Sequence, residues 1–164
     1  MEEIININSR IIEKCLQGDI KAQFQLYKQY SKAMYNIAIR FLDNKMDAED
    51  VLQESFSTAF SRLEELEDRE AFPAWLKRIL VNNCISFQRK KRVRFEEINE
   101  RWIEETLEEE TEIEKIDPAL VHSAIRKLPD GGRTILVLHA LEGYKHREIA
   151  EMLDISVSTS KTQY

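Results

Sequence analysis

The sequence predicts an all-α protein of two small domains, because turn residues are scarce and apolar residues recur at helical spacing. Its 164 residues include only four Gly and three Pro, too few for the many tight turns of a β-sandwich or β-barrel. Apolar residues make up 43% of the chain and charged residues 33%, which is typical of a globular rather than a disordered protein. A chain of this length forms one domain or two small ones.

The charges divide the chain into three segments. Residues 1–95 carry a net charge of +2, residues 96–117 of −9 and residues 118–164 of +1. An acidic block such as the middle segment repels itself and is typical of an extended or loosely helical linker. The overall charge of −6 therefore averages two mildly basic domains, 1–95 and 118–164, with one acidic linker, 96–117, and it does not exclude nucleic-acid binding.

The first two predicted helices are marked by their end residues. Ser9 and Gly18 are expected to begin and end a short helix as N-cap and C′ residues, and Asp19 is expected to cap a longer one. Apolar residues then follow the 3.6-residue period through about six turns. These residues are Phe24, Tyr27, Tyr30, Met34, Ile37, Ala38 and Phe41.

The third and fourth predicted helices are separated by an acidic segment, residues 64–68. Asp47 is expected to cap the third helix, which carries apolar residues on one side and acidic residues on the other. The fourth helix is expected to start near Ala71 with Pro73 in its first turn, where a missing N–H costs nothing. It ends in the basic run 89–92.

The second domain is predicted to contain three or four short helices. Asp117 and Pro118 are expected at the N-cap and first position of one helix, and residues 129–132 are expected to form a turn. A helix over 134–141 is expected to end at Gly143.

The final stretch of the chain, residues 146–156, has helix-turn-helix spacing. A small Ala150 faces the second helix, a tight turn falls at Asp154, and Ser156 is placed to cap the next helix. Many helical hairpins share this pattern, so by itself it is only moderately specific.

Three runs of residues resemble the extracytoplasmic-function (ECF) group of bacterial RNA polymerase sigma factors. They are 47–56 (DAEDVLQESF), 72–79 (FPAWLKRI) with Asn82, and 142–144 (EGY) followed by 148–153 (EIAEML). The runs occur in family order and at family spacing, and they span the chain from about Phe24 to Tyr164. The resemblance implies two helical domains, σ2 and σ4, joined by a flexible linker. It also implies no catalytic activity and a role in directing core polymerase to promoters by reading a −10 and a −35 element.

The acidic side of the third helix has two interpretations. Taken alone, it is a solvated helix face. The resemblance instead implies that it docks on the clamp helices of the polymerase β′ subunit, where charged rims set the rate and orientation of encounter. The candidate polymerase-binding residues are Asp47, Glu49, Asp50, Gln53 and Glu54.

The fourth helix also has two interpretations. Trp75 has the spacing of a core residue, and the basic end of the helix compensates the helix dipole. The resemblance implies that this helix lies along the −10 element with its cations on phosphates. The preceding loop, residues 64–70, would then capture a base extruded from the opened strand. The candidate −10 residues are Arg69, Trp75, Lys77, Arg78, Asn82, Asn83, Arg89, Lys90 and Lys91.

The helix after Ser156 is predicted to enter the major groove of the −35 element. The candidate −35 residues are Lys145, Arg147, Ser158, Thr159, Lys161 and Gln163. Three residues of this region depart from the family pattern: Asp154 stands where Gly is usual, Lys145 where a Ser or Thr cap is common, and Ser160 where an apolar core residue is frequent. On the fourth helix, Ser86 stands where family members often carry Asp. Family members continue with a basic helical stretch beyond the position of Tyr164, so either a longer natural chain or weak −35 binding is expected.

Several classes of function are not expected. Cys15 and Cys84 are isolated thiols without metal-ligand spacing, and no phosphate-binding loop or nucleophile with a nearby base is present, so we expect no enzyme, metal or cofactor. The N-terminus lacks a signal-peptide pattern and no apolar stretch reaches the ~18 residues of a membrane span. The expected location is the cytoplasm, without membrane insertion.

Two functions from different classes remain from the sequence. The first is a sigma factor that binds core polymerase and promoter DNA, with an anti-sigma factor as a further candidate partner. The second is a helical protein–protein module, a sigma-like decoy or regulator that docks on polymerase without productive promoter binding. In the first case, the linker residues from Glu104 to Glu114 are expected to occupy the polymerase cleft and exit channel in place of RNA.

Overall fold

The computed structural model describes residues 2–96 and 117–164. Both stretches are helical and neither contains a strand, which confirms the predicted fold class. The chain forms two compact units, Met1–Ser86 and Phe87–Tyr164. Between its two end residues, the predicted linker lies outside the described residues, and so does its segment from Glu104 to Glu114.

The helices are named here in chain order. In residues 2–96 they are α1 (Glu2–Leu16), α2 (Ile20–Leu42), α3 (Lys45–Ser61) and α4 (Phe72–Glu96), with 3₁₀ turns at Leu63–Glu65 and Arg69–Ala71. In residues 117–164 they are α5 (Pro118–Lys127), α6 (Asp130–Leu136), α7 (His146–Leu153) and α8 (Val157–Thr162), with a π-helical turn at Val137–Leu141. None of these helices combines the length and the apolar character that a membrane span requires.

Two of the predicted N-caps in the first unit are wrong and one is confirmed. Asp19 caps α2 as predicted, since its carboxylate accepts from Lys21 N at 2.9 Å. Ser9 lies inside α1, which begins seven residues earlier at Glu2. A residue suited to an N-cap also occurs inside helices, so its identity alone does not reveal where a helix begins.

The cap of α3 lies three residues before the predicted one. Asn44 takes the N-cap position, and its side-chain oxygen accepts from Asp47 N at 3.0 Å. Asp47 therefore lies in the first turn, where a carboxylate is stabilised by the helix dipole. Asn and Asp are almost equally good caps, so the sequence did not distinguish between the two positions.

At the N-terminal end of α2, the residues that face the core of the first unit differ from the predicted ones. Phe24, expected inside, is 59% exposed, whereas Leu26 is fully buried. The Lys28 ammonium lies 5.4 Å from the centre of the Phe24 ring, a cation–π contact suited to an exposed aromatic residue. From Met34 onward the predicted positions agree with the buried ones.

Residues 117–164 begin with the predicted helix but lack the predicted turn at 129–132. Asp117 caps α5 by accepting from Ala119 N at 3.0 Å, and Pro118 is the first helical residue. Residues 130–132 instead form the first turn of α6. A Cβ on Gly131 would lie 3.2 Å from Gln163 Oε1, so this glycine permits close approach of the end of the chain rather than a turn.

The helix predicted over 134–141 is present in two parts. It is the end of α6 followed by the π-helical turn, and Glu142 N donates to Val137 O at 2.9 Å to close that turn. Gly143 follows with φ of +77°, as expected of a residue that ends a helix.

The helix-turn-helix prediction is confirmed in its local geometry. Asp154, after α7, has φ of 54°, the left-handed conformation that Gly adopts at no steric cost and Asp tolerates. Ser156 caps α8 by accepting from Thr159 N at 2.9 Å. The turn therefore keeps its conformation without the usual glycine.

Candidate functional site

The acidic face of α3 is exposed along its length. Glu49, Asp50, Gln53 and Glu54 are solvent-exposed, while Asp47 is half-buried at the helix start. The opposite side of the helix faces the core of the first unit. Its buried residues are Ala48, Val51, Leu52, Ser55, Phe56 and Ala59. We call the surface formed by the exposed residues the α3 face. Its carboxylates point to solvent, while apolar packing on the other side of the helix fixes α3 in the first unit.

A groove next to this face was not predicted. It lies between α2 and α3 and has a volume of about 350 Å³. Its lining residues are Tyr27, Ser31, Lys32, Tyr35, Glu49, Leu52 and Gln53. The sequence did not predict the α2 side of this groove. The helical spacing of Tyr27 predicted a core residue, and no motif includes Lys32 or Tyr35.

The loop between α3 and α4 pairs its cations with carboxylates. Arg62 forms two hydrogen bonds from Nε and one from Nη2 to Glu65, the last at 2.6 Å, and these bonds hold the pKa of Glu65 below its usual range. Arg69, a predicted −10 residue, donates from Nη1 to the carboxylate of Glu13 on α1. The α1 helix thus contacts the proposed base-capture loop, a link that no sequence pattern indicated.

Most of the candidate −10 residues lie on accessible parts of α4. Arg78, Asn82, Arg89, Lys90 and Lys91 are exposed and Lys77 is half-buried. Because five of these six side chains carry a positive charge, this part of α4 suits a polyanion such as a nucleic-acid backbone.

Two other candidates have structural contacts. Trp75 is half-buried, with its ring 6.3 Å from that of Phe72, a buried residue. Asn83 is half-buried too, and its Nδ2 donates to Ser55 Oγ at 3.0 Å. Both side chains therefore already contact another residue of the first unit.

The candidate −35 residues surround α8. Lys145, Arg147, Ser158, Lys161 and Gln163 are exposed. Thr159 is half-buried, and its hydroxyl is 2.8 Å from that of the cap Ser156. The exposed set places three basic side chains, one amide and one hydroxyl on α7, α8 and their flanks, which is a composition suited to base edges and phosphates.

The substitution at Ser160 is explained by a polar contact. Ser160 is fully buried, and its hydroxyl lies 2.9 Å from His146 Nδ1. His146 stacks on His139 with ring centres 4.1 Å apart, and the Tyr164 ring meets both edge-on. A hydrogen bond and ring packing thus accommodate the buried hydroxyl of Ser160.

Protonation of His146 is disfavoured by its surroundings. His139 Nδ1 lies 2.8 Å from the Tyr144 carbonyl oxygen, so this nitrogen is the donor. Burial, together with the nearby His139 and Lys161, lowers the pKa of His146. The neutral form of His146 is therefore the one that fits this cluster.

Lys145 starts α7 without a side-chain cap of its own. Its backbone N–H donates to Glu148 Oε2 at 2.7 Å, which is the reciprocal half of a capping box. The Lys145 ammonium is therefore not required for the cap, and the side chain is exposed.

The described residues contain no cluster of three or more His, Cys, Asp or Glu side chains that would hold a metal ion. Both cysteines are buried. Burial raises the pKa of the Cys84 thiol to about 12, and burial and Asp19 raise the pKa of the Cys15 thiol to about 11. Both thiols are protonated at neutral pH and are poor nucleophiles.

Comparison with protein families agrees with this arrangement. Residues 26–94 match the model of sigma-70 region 2, and residues 119–164 match that of sigma-70 region 4. The ECF RNA polymerase sigma-E factor of Haemophilus influenzae is 30% identical, over 93% of this chain and 87% of the relative. The chain belongs to the ECF group of the sigma-70 family. The RNA polymerase sigma factor SigV of Bacillus subtilis is 31% identical to this chain, over 82% of this chain and 79% of SigV.

Solved structures resemble the sigma factor along most of its length. The structure of CnrH in complex with the cytosolic domain of CnrY matches it with a TM-score of 0.53 and 25% identity, over 95% of its chain and 88% of CnrH. The sigma factor RpoE in complex with the anti-sigma factor NepR from Bartonella quintana gives a TM-score of 0.56 at 22% identity, over 88% and 90% of the two chains. The second likeness concerns the fold.

Proposed function

We propose that this sigma factor docks on core RNA polymerase through the α3 face and contacts promoters with α4 at the −10 element and with α7 and α8 at the −35 element. The sigma-70 family membership carries the general function, which is promoter-directed transcription initiation with RNA polymerase. The assignment of surfaces to partners is the proposal.

The exposure of the α3 face supports its role in docking. Asp50 and Glu54 lie four residues apart on exposed positions of one helix, so they share a face. The adjoining groove offers Tyr27 and Tyr35 beside Lys32. Buried aromatic anchors carry most of the affinity in protein interfaces while charged rims steer association, and this surface has both kinds of residue.

The distribution of exposed cations supports the promoter contacts. On α4, Arg78 and the basic residues 89–91 are exposed, and exposed Asn82 lies between them. On the second unit, exposed Arg147 and Lys161 flank the cap of α8. Asn, Arg and Lys are the side chains that most often read base edges or neutralise phosphates.

The loop between α3 and α4 fits the capture of an extruded base less directly. Arg62 is paired with Glu65 and Arg69 with Glu13, so these cations meet carboxylates of the same chain. Unpaired carboxylates and backbone groups accept from base amino groups, and we assign this role to the loop around Glu64 and Glu67, which are exposed.

Sigma factors are generally non-enzymatic initiation factors, and we infer the same of this chain, which we place in the cytoplasm beside the polymerase. We also propose an anti-sigma factor as its regulator. No contact in the described residues and no relative favours the alternative of a decoy without promoter binding.

Charge reversal on the α3 face tests the docking proposal. Asp50→Lys in the full chain should weaken binding to core polymerase by about tenfold, since it places a cation where the partner is expected to be basic. The measurement is competition for core polymerase against the labelled wild-type chain, without DNA. Glu151→Lys makes the same change of charge at an exposed residue of α7 and serves as the control. Equal core affinity of the Asp50 and Glu151 variants would refute docking through this face.

A further inference from the structure

A hydrogen bond joins α3 and α4, the two helices to which the proposed function gives polymerase docking and −10 contact. Asn83 Nδ2 on α4 donates to Ser55 Oγ on α3 at 3.0 Å. The Ser55 hydroxyl in turn donates to the Val51 carbonyl oxygen, one turn earlier in α3, at 2.6 Å. The bond therefore ends on the backbone of α3 rather than on a mobile side chain.

This pair lies in an apolar environment. Ser55 is fully buried, and so are Val81 and Cys84, the residues on either side of the Asn82-Asn83 pair. On α3, Leu52 and Phe56, which lie three residues before and one residue after Ser55, are buried too. A polar group in such surroundings loses considerable free energy if its partner is removed, so the bond favours a single register of the two helices.

Apolar packing does not supply the same precision. Hydrophobic contact is non-directional, whereas a hydrogen bond weakens steeply when its distance or angle departs from the optimum. Buried polar residues fix helix register in other helical assemblies. Here the exposed residues Gln53 and Glu54 directly precede Ser55, and the exposed Asn82 directly precedes Asn83. The bond thus connects positions adjacent to both proposed contact surfaces.

We propose that Asn83 is a positioning residue for promoter opening, which acts through Ser55 to fix where α4 lies once α3 has docked on polymerase. The inference rests on the proposed function and deepens it. It also assigns the two neighbouring asparagines different roles: Asn82 is exposed towards the promoter, and Asn83 holds the helix that carries it.

Single substitutions separate this role from direct DNA contact. Ser55 is fully buried and cannot contact DNA, so Ser55→Ala should reduce promoter opening as much as Asn83→Ala does. We expect about a fivefold lower fraction of open promoter for each, the ratio that corresponds to one net hydrogen bond. The measurement is permanganate reactivity of unpaired thymines near the −10 element, with the full chain bound to saturating core polymerase.

A double substitution separates positioning from stability. Replacing both partners by apolar groups is close to neutral for folding, so Ser55→Ala with Asn83→Leu should unfold at the wild-type urea concentration and bind core polymerase with wild-type affinity. Its open fraction should nevertheless stay about fivefold below that of the wild type. Ser55→Thr, which keeps the hydroxyl, should restore opening, and Ser57→Ala removes an exposed hydroxyl from the same helix as a control.

The outcomes decide between the explanations. If Ser55→Ala opens the promoter like the wild type while Asn83→Ala does not, Asn83 contacts DNA and the inference is wrong. If the double variant regains both stability and opening, the bond only stabilises the fold and the inference is again wrong. A wild-type chain that opens no promoter in run-off transcription with core polymerase overturns the proposed function and this inference together. Wild-type opening with a persistent defect in the double variant supports the inference.

Discussion

The two compact units are stabilised in different ways. The first, Met1–Ser86, is built from three helices of 15 to 23 residues and the first part of α4. It buries large apolar side chains such as Phe41, Phe72 and Leu26. The second, Phe87–Tyr164, has helices of six to ten residues in α5 to α8 and buries Arg133 and Ser160. Short helices bury less apolar surface, so polar contacts carry a larger share of the stability of the second unit.

The largest expected effect comes from the apolar core of the first unit. Phe41→Ala should lower its free energy of unfolding by about 3–5 kcal/mol, because a fully buried ring is replaced by a cavity. Phe24→Ala, at a 59% exposed position, is the matched control and should cost less than about 0.5 kcal/mol. Urea unfolding followed by Trp75 fluorescence, in a Trp102→Phe background, measures both. Similar costs at the two positions would mean that α2 is rotated relative to the fold described above.

A smaller effect is expected at the buried cation of the second unit. The Arg133 side chain is 9% exposed and its Nη2 donates to Asp130 Oδ1 at 2.5 Å, while its Nε has no hydrogen-bond partner among the described residues. Asp130→Ala should cost about 1 kcal/mol, less than for a fully buried pair because Asp130 itself is 84% exposed and water replaces part of the interaction.

Hydrogen exchange of the α6 amides measures this cost. Glu151→Ala, which removes an exposed carboxylate from α7, is the control. Unchanged α6 protection in the Asp130 variant would show that solvent alone satisfies Arg133.

The units should also differ in their response to pH. All three histidines, His122, His139 and His146, lie in the second unit. Because the pKa of His146 is lowered in the folded chain, the unfolded chain binds its proton more readily, at a pKa of about 6.5. The stability of the second unit should therefore be complete above about pH 6.5 and decrease as the pH falls towards the lower folded pKa.

Histidine ring signals in NMR spectra, followed between pH 7.5 and 5.5, measure this transition. His139→Phe keeps a ring against His146 but removes the neighbouring charge, so it should reduce the pH dependence. The first unit, without histidine, should keep its stability over this range. Loss of both units at the same pH would contradict the comparison.

The smallest expected effect is at the turn before α8. Asp154 has φ of 54°, and Gly adopts this conformation without steric cost. Asp154→Gly should stabilise the second unit by about 0.5 kcal/mol. Thermal unfolding of the full chain measures the shift, and Gly143→Ala, at φ of +77°, should shift it in the opposite direction. If Asp154→Gly destabilised the second unit, the Asp side chain would itself stabilise the turn.

Local signals in the sequence were sufficient where a single side chain acts on its own backbone. The caps at Asp19, Asp117 and Ser156 were predicted correctly because each needs only neighbouring N–H groups. The start of α1 was missed because Ser9, a residue suited to an N-cap, lies inside the helix. The cap of α3 was missed because Asp47 satisfies the same local rules as Asn44, the residue that the chain uses. The glycines at 131–132 were assigned to a turn because their actual constraint comes from Gln163, more than 30 residues away.

The candidate surfaces were predictable to a similar degree. Exposure of Asp50 on α3 and of Arg78 on α4 agrees with their assigned faces, because helical periodicity determines which residues share a side. Periodicity does not reveal that Arg69 meets Glu13, that Asn83 meets Ser55 or that α2 adds a groove to the α3 face. Those relations join residues that are distant in sequence.

By itself, the sequence determined the helical class, the segregation of negative charge into residues 96–117 and the motifs that match sigma-70 regions 2 and 4. Each of these depends on composition or on residues within a few turns of one another. The tertiary structure alone decided which polar groups are used internally, such as Asn83 and Ser160. The physical reason is that burial and hydrogen-bond partners arise when distant helices pack, so the role of a polar side chain is set by its neighbours in space.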